Sequence, residues 1–303
     1  MLRASSYVEY IQPDMKIRAS SLVYQDPATW GISRISHREP GNFTYIFDDS
    51  AGEGTCAYVI DTGIFVAHPD FEGRAEHLVN FSTDESDEDD YGHGTHVAGI
   101  IGSRTFGVAK KTQIYSVKVL DSTGRGSSSS IIAGIDFVAR DAANRTCPRG
   151  TVVNISLGGR KDTAMDQAVA AAVASGVFIA VAAGNDGADA RYFSPASEPS
   201  ACTVGATAAN DAMASWSNGG SFVDVLAPGV RITSLSIGGG TREDNGTSMA
   251  TPHVTGLAAY LLSLQGGGTQ GLCERIAEMG TKGVVQNLTQ GTVNTLINNG
   301  ALG

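Results

Sequence analysis

Short runs rich in β-branched and apolar residues recur along the chain at 57–60, 114–120, 151–157, 177–183, 201–204 and 222–226. Runs of this length, apolar on both alternating sets of positions, read as strands buried on both faces. Between them, residues 96–101, 129–143, 164–175 and 248–264 are apolar at helical spacing or throughout, which predicts amphipathic or fully buried helices. Strand and helix in alternation imply an α/β architecture, a mostly parallel sheet covered by helices on both faces. Sites in such sheets form where strands end and helices begin.

Composition narrows the picture. The chain has 303 residues, 42% apolar and 17% charged, enough for one large domain with a well-buried core. Its 38 glycines follow no repeat period, so they speak for close packing rather than a fibrous chain. With 31 acidic and 21 basic residues the formal charge is −10, which argues against nucleic acid and anionic membranes as partners. No stretch of 18 uninterrupted apolar residues is present, so no membrane-spanning helix is expected. The opening Met1-Leu2-Arg3-Ala4-Ser5-Ser6 lacks the apolar core of a signal peptide, so any such peptide is missing from this chain. Cys56, Cys147, Cys202 and Cys273 form no C-x-x-C pair, which favours two disulfides over a zinc knuckle or redox site. Sequons at Asn42, Asn80, Asn144 and Asn287 are compatible with secretion.

Three segments bring side chains of complementary chemistry to such strand and helix ends. Ala57-Tyr58-Val59-Ile60-Asp61-Thr62-Gly63 is a buried strand delivering a carboxylate at its carboxyl end. Gly92-His93-Gly94-Thr95-His96-Val97-Ala98-Gly99 starts a helix with an imidazole, flanked by glycines that let other backbone approach. Asn245-Gly246-Thr247-Ser248-Met249-Ala250-Thr251-Pro252-His253 places a hydroxyl at the start of a long apolar helix, with Pro252 expected in a first turn whose amides lack partners. A serine hydroxyl is a weak nucleophile. It needs a histidine to take its proton and a buried carboxylate to fix that histidine's tautomer. A fourth segment, Ala182-Ala183-Gly184-Asn185, ends another strand and offers an amide for a tetrahedral oxyanion, together with the Ser248 backbone amide.

The stretches around Asp61, His93, Asn185 and Ser248, in that Asp, His, Ser order, resemble the signature blocks of subtilisin-like serine proteases. Residues 102–111 and 194–200 resemble the proteinase K and fungal cuticle-degrading group, and the likeness covers roughly residues 23 to 303. It implies a subtilisin-like three-layer fold, a central mostly parallel sheet flanked by helices. It also implies a secreted endopeptidase of broad specificity that cuts internal peptide bonds through a Ser248 acyl-enzyme. In that resemblance His93 is the general base, Asp61 the orienting acid and Asn185 the oxyanion donor. Gly124-Arg125-Gly126 and Ser156-Leu157-Gly158 are two extended segments that sandwich the substrate as an added strand. Ala182, Ala183 and Gly184 line an S1 pocket for a large apolar or aromatic P1 side chain, and Ser128 stands where the group has an aromatic S4 rim. The cysteines match positions that pair as Cys56 with Cys147 and Cys202 with Cys273. Pro199, Ala201 and Asp224 match a structural calcium site of two carbonyls and one carboxylate. No catalytic cofactor is implied. Tyr7-Val8-Glu9-Tyr10-Ile11-Gln12-Pro13 resembles the last strand of an inhibitory propeptide, so residues 1–22 are expected to be its remnant and 23–303 the peptidase domain, a monomer once released.

Other readings fit less well. Zinc-binding helices space histidines at i and i+4 around a glutamate, unlike His93 and His96. The acidic run Asp84-Glu85-Ser86-Asp87-Glu88-Asp89-Asp90 lacks EF-hand spacing and reads as a solvated loop whose field raises the His93 pKa and favours basic substrates. His37, His68, His77 and His253 read as surface or packing residues. A protein that grips peptide by strand addition without turnover would use the same cleft. Pseudoenzymes of that kind usually lose a catalytic group, and all four stand here.

Overall fold

The computed structural model describes residues 21–301; the stretch 7–13 read above as a propeptide strand lies outside them. The chain opens with β1 (Leu22–Gln25), α1 (Trp30–Arg34) and β2 (Tyr45–Asp48), then enters the central sheet with β3 (Thr55–Asp61) and β4 (Ala75–Asn80). It continues through α2 (His93–Gly102), β5 (Gln113–Lys118), α3 (Ser128–Asn144), β6 (Gly150–Ile155), β7 (Gly159–Arg160), α4 (Thr163–Ala174) and β8 (Phe178–Ala182). There follow β9 (Phe193–Ser194), β10 (Cys202–Thr207), β11 (Val225–Pro228), β12 (Ile232–Leu235) and β13 (Thr241–Asp244). Last come α5 (Thr247–Gln265), α6 (Leu272–Met279), β14 (Thr281–Lys282) and β15 (Thr295–Leu296).

Nine strands form the main sheet in the order β14-β15-β11-β10-β8-β6-β3-β5-β4, parallel except where β14 meets β15. Alternate residues of each strand feed opposite layers. Ala57, Val59, Val152, Ala180 and Val204 pack with α2, α5 and α6 on one face. Tyr58, Ile60, Val153, Ile179 and Val181 pack with α3 and α4 on the other. The six expected strands and four expected helices are all present, each within three residues at either end. Periodicity missed the short β2 and α6 as well as polar and edge strands. The edge strand β4 is only partly buried and shifts register between His77 and Val79, and β13 reads Thr-Arg-Glu-Asp.

Two disulfides tie helices and loops to this sheet, Cys56 to Cys147 and Cys202 to Cys273. The amino-terminal hairpin is held by Ser21, whose amide donates to the Asp48 carboxylate and whose carbonyl accepts from the Asp49 amide.

The central helix departs from the expectation at Pro252. It is the sixth helical residue, past the first turn, so its missing N–H would have bonded the Ser248 carbonyl. The Ser156 hydroxyl, arriving from the end of β6, donates to that carbonyl at 2.8 Å instead. Ser156 is itself positioned by Asn154, whose amide donates to its Oγ at 2.9 Å and whose Oδ1 accepts from Thr255 at 3.0 Å. The orphan left by proline is thus satisfied by the neighbouring strand, which locks α5 to β6. Ser156→Ala should leave a buried carbonyl unpaired and cost about 1–3 kcal/mol in chemical denaturation. In a Pro252→Ala background, where a helical N–H is restored, the same change is expected to cost roughly half of that or less.

Candidate active site

Asp61 ends β3 with its side chain wholly buried. Its Oδ1 accepts the Thr62 amide at 2.8 Å and faces His93 Nδ1 at 2.7 Å. A buried carboxylate needs such partners, because desolvation otherwise costs several kcal/mol. The imidazole reaches it because α2 starts hard against the strand end. A Cβ on Gly94 would stand 2.0 Å from the Gly63 carbonyl oxygen, so no larger residue fits there without moving backbone.

Gly92 caps α2 without a side chain, and the first-turn amides find other acceptors. Gly94 N–H donates to Thr62 Oγ1 at 2.9 Å, and Thr95 N–H to Asp89 Oδ2 at 2.8 Å. Asp89 also takes the Thr62 and Thr95 hydroxyls and the Gly92 amide. Residues 85–88 and 90 of the acidic run are exposed, as a solvated loop requires, but Asp89 departs from that reading: it is 4% exposed and acts as a cap. Asp84 pairs at 3.2 Å with Lys118, which is fully buried and donates from Nζ to the Thr62 carbonyl at 2.7 Å. In the sequence Asp89 stood out only as part of the acidic run, and Thr62 and Lys118 were given no role. Only the adjacency of Thr62 to Asp61 signalled them.

Ser248 is the second residue of α5. Its hydroxyl donates to the Ser156 carbonyl at 3.0 Å, so it must rotate to meet His93. Its backbone N–H donates to no described residue. Asn185 follows β8, and its Oδ1 accepts both the amide and the hydroxyl of Thr247 at 2.9 Å. With the oxygen taken, the Nδ2 group is left as the free donor. Thr247, the residue before the serine, is therefore what orients the amide.

A cavity of about 790 Å³ opens beside these groups and gathers Leu157, Gly158, Ala182, Ala183, Gly184, Asn185 and Ser248. Phe193, Tyr192, Arg160 and Lys161 complete its wall, and none of these four stood out in the sequence. Ser156 is buried behind Ser248, presenting its carbonyl. Gly124, Arg125 and Gly126 do not line this cavity. Gly124 lies at φ +73°, with its amide on the Asp121 carbonyl and the Asp121 amide on the Arg125 carbonyl, so Gly124 and Arg125 belong to a turn and not to the extended segment expected. The Tyr91 ring stands where a Gly124 Cβ would point, 2.9 Å away. Ser128 opens α3 and is exposed.

Burial lowers the His93 pKa, but the charge and hydrogen bond of Asp61, with Asp244 and Asp89 behind them, outweigh it and raise it above the usual value. His96 faces the Ile232 and Arg242 carbonyls through Nε2, at 3.0 and 3.2 Å, and burial pushes its pKa down to about 4. The two imidazoles serve different partners and form no metal pair. His253 is likewise buried, bonded to the Met249 carbonyl.

On another face, Pro199, Ala201 and Asp224 line one cavity of about 550 Å³ with Glu274. Asp224 accepts the Thr203 amide at 2.8 Å, and burial pushes its pKa up to about 6. The Cys202 and Cys273 sulfurs lie close by but are bonded to each other, which leaves only oxygen donors.

A family model described as the subtilase family matches residues 52–297. The chain is 54% identical over 302 residues to a cuticle-degrading protease of Metarhizium anisopliae, covering 99% of this chain and 78% of that one. It is 54% identical over 292 residues to proteinase T of Parengyodontium album, covering 96% and 99%. A solved cold adapted subtilisin-like serine proteinase superposes with a TM-score of 0.84 at 42% identity, covering 90% of this chain and 99% of that one. Among the described residues no helix is long and apolar enough to cross a membrane.

Asp244 favours the imidazolium, so Asp244→Asn should lower the His93 pKa. If neutral His93 is the active form, the acidic limb of the kcat/KM profile for a neutral peptide should move to lower pH. The shift should be larger at low salt than at high salt; an unmoved limb would remove Asp244 from the field acting on His93.

Proposed function

The chain belongs to the subtilase family and is a serine endopeptidase, and from that premise we propose which of its groups carry the reaction. The observation that carries the assignment is the 2.7 Å contact between Asp61 and His93 Nδ1, made where α2 and α5 both begin at the carboxyl edge of one parallel sheet. Ser248 Oγ attacks the scissile carbonyl while His93 Nε2 takes its proton. Asp61 keeps the proton of the free imidazole on Nδ1 and steadies the imidazolium. The tetrahedral oxyanion accepts from Asn185 Nδ2 and from the Ser248 N–H, two donors left free by their surroundings. Collapse releases the amine with the proton returned by His93, and water then repeats the sequence on the acyl-enzyme. Nothing in this sequence calls for a catalytic cofactor.

The substrate is an extended peptide. Leu157-Gly158 on one side and the stretch after Arg125 on the other flank it, reading mainly backbone, which supports broad specificity. The S1 cavity is walled by Ala182, Ala183 and Gly184, with Phe193 contributing an aromatic face, and so favours apolar or aromatic P1 residues. We assign residues 1–22 to the end of an inhibitory propeptide that also assists folding, and 23–303 to a monomeric, extracellular peptidase domain. Net negative charge keeps nucleic acid off the partner list.

Asp224 with the Pro199 and Ala201 carbonyls suits a calcium ion. The set is all oxygen, and a buried carboxylate whose pKa stands near 6 is one that a bound cation would stabilise in its charged form.

A chromogenic peptide with an aromatic P1 residue should be hydrolysed, and Ser248→Ala should lose about 10⁶ in turnover, the size seen in subtilisin, a relative. No turnover by a folded chain, even with the propeptide supplied in trans, would favour peptide binding without catalysis. For the ion, a chelator should lower Tm, with about 2.7 kcal/mol lost where calcium had been present at a hundred times its Kd. Asp224→Asn should abolish that response, and a chelator-insensitive Tm in the wild type would reject the site.

A further inference from the structure

The cavity beside Ser248 and Asn185 carries charges that an apolar P1 pocket does not need. Lys161 and Arg160 are both on its wall, as is Asp186. The Lys161 ammonium is committed, donating to Ser197 Oγ at 2.8 Å and to Asp166 at 3.3 Å. The exposed Arg160 side chain makes no hydrogen bond or ion pair with any described residue. Its backbone is nonetheless well placed: it forms half of β7, held opposite Phe193 of β9, and follows Leu157-Gly158 by two residues. A long side chain with five donors and no partner thus stands on a fixed strand at the pocket wall.

We propose that Arg160 is a specificity-determining residue that extends the P1 range to side chains with a carboxylate end, glutamate above all, and disfavours lysine and arginine there. The inference deepens the S1 assignment above and rests on it. A guanidinium fork matches a carboxylate in two parallel hydrogen bonds, and an arginine with no prior partner gives up only water to make them. Asp186 is the opposing charge on the same wall. Its side chain is short, with Oδ2 3.6 Å from where a Cβ on Gly184 would stand, whereas the longer Arg160 side chain is exposed and unpaired.

The test compares kcat/KM for three peptides differing only at P1, carrying Phe, Glu or Lys, in the wild type, Arg160→Gln and Asp186→Asn. In Arg160→Gln the Glu-to-Phe ratio should fall and the Lys-to-Phe ratio rise, each by about fivefold, the upper end for one partly exposed charge pair. Both changes should fade at high salt. Asp186→Asn should move the ratios in the opposite sense and by less. Ratios unmoved in Arg160→Gln, a salt-independent change, or a larger effect from Asp186→Asn would each overturn the proposal while leaving the endopeptidase assignment standing. A wild type that cleaves none of the three peptides and is not labelled by a serine-directed covalent inhibitor would bring down both.

Discussion

An ionised carboxylate taken wholly out of water costs several kcal/mol unless its surroundings replace the solvent. Asp61 is in that position, and its Oδ1 has two partners, the Thr62 amide and the imidazole of His93. The second partner cannot be supplied by β3 itself. It requires α2 to begin against the strand end, which in turn requires a glycine at 94 and acceptors for the Gly94 and Thr95 amides. Thr62 and Asp89 are those acceptors, and the buried Lys118 holds the Thr62 carbonyl from the adjacent strand. The position of His93 therefore follows from how one buried charge is accommodated.

The same logic governs the other half of the site. Thr247 spends its amide and hydroxyl on Asn185, which turns the asparagine's donor outward. Ser156 spends its hydroxyl on the carbonyl that Pro252 leaves without a partner, and offers its own carbonyl to the Ser248 hydroxyl. At both helix starts, backbone groups that the helix leaves over find side-chain partners from outside it, Thr62 and Asp89 for α2 and Asn185 and Ser156 for α5, while the Ser248 amide stays free. The satisfying groups are also those that aim the chemistry, which is why the residues flanking the nucleophile matter as much to stability as to orientation.

Charge is distributed with comparable economy. Most cations near the cleft are committed: Lys161 to Asp166 and Ser197, Arg191 to Asp189, Arg242 to Asp244. The Arg160 side chain is the exception on the wall of the cavity beside Ser248, and its freedom carries the specificity proposal. Across the cleft, Asp244 and Asp89 reach His93 through their charge while bound to other groups, so these two carboxylates are held in place.

The sequence by itself determined the architecture and the chemical parts. Apolar runs such as 57–60 and 151–157 have nowhere to go but a doubly covered parallel sheet, and Asp61, His93, Asn185 and Ser248 lie in local patterns that place them at strand ends and helix starts. Polar and edge elements such as β4 and β13 were illegible because their residues answer to neighbours instead of to a period. Only the tertiary structure decided that Asp89 is a buried cap, that Ser156 replaces the bond lost at Pro252, and that Arg160 stands on the wall of the cavity beside Ser248 with its side chain unpaired. The physical reason is common to all three. A side chain's role there depends on which distant backbone group lacks a partner, and that is known only once the chain has folded.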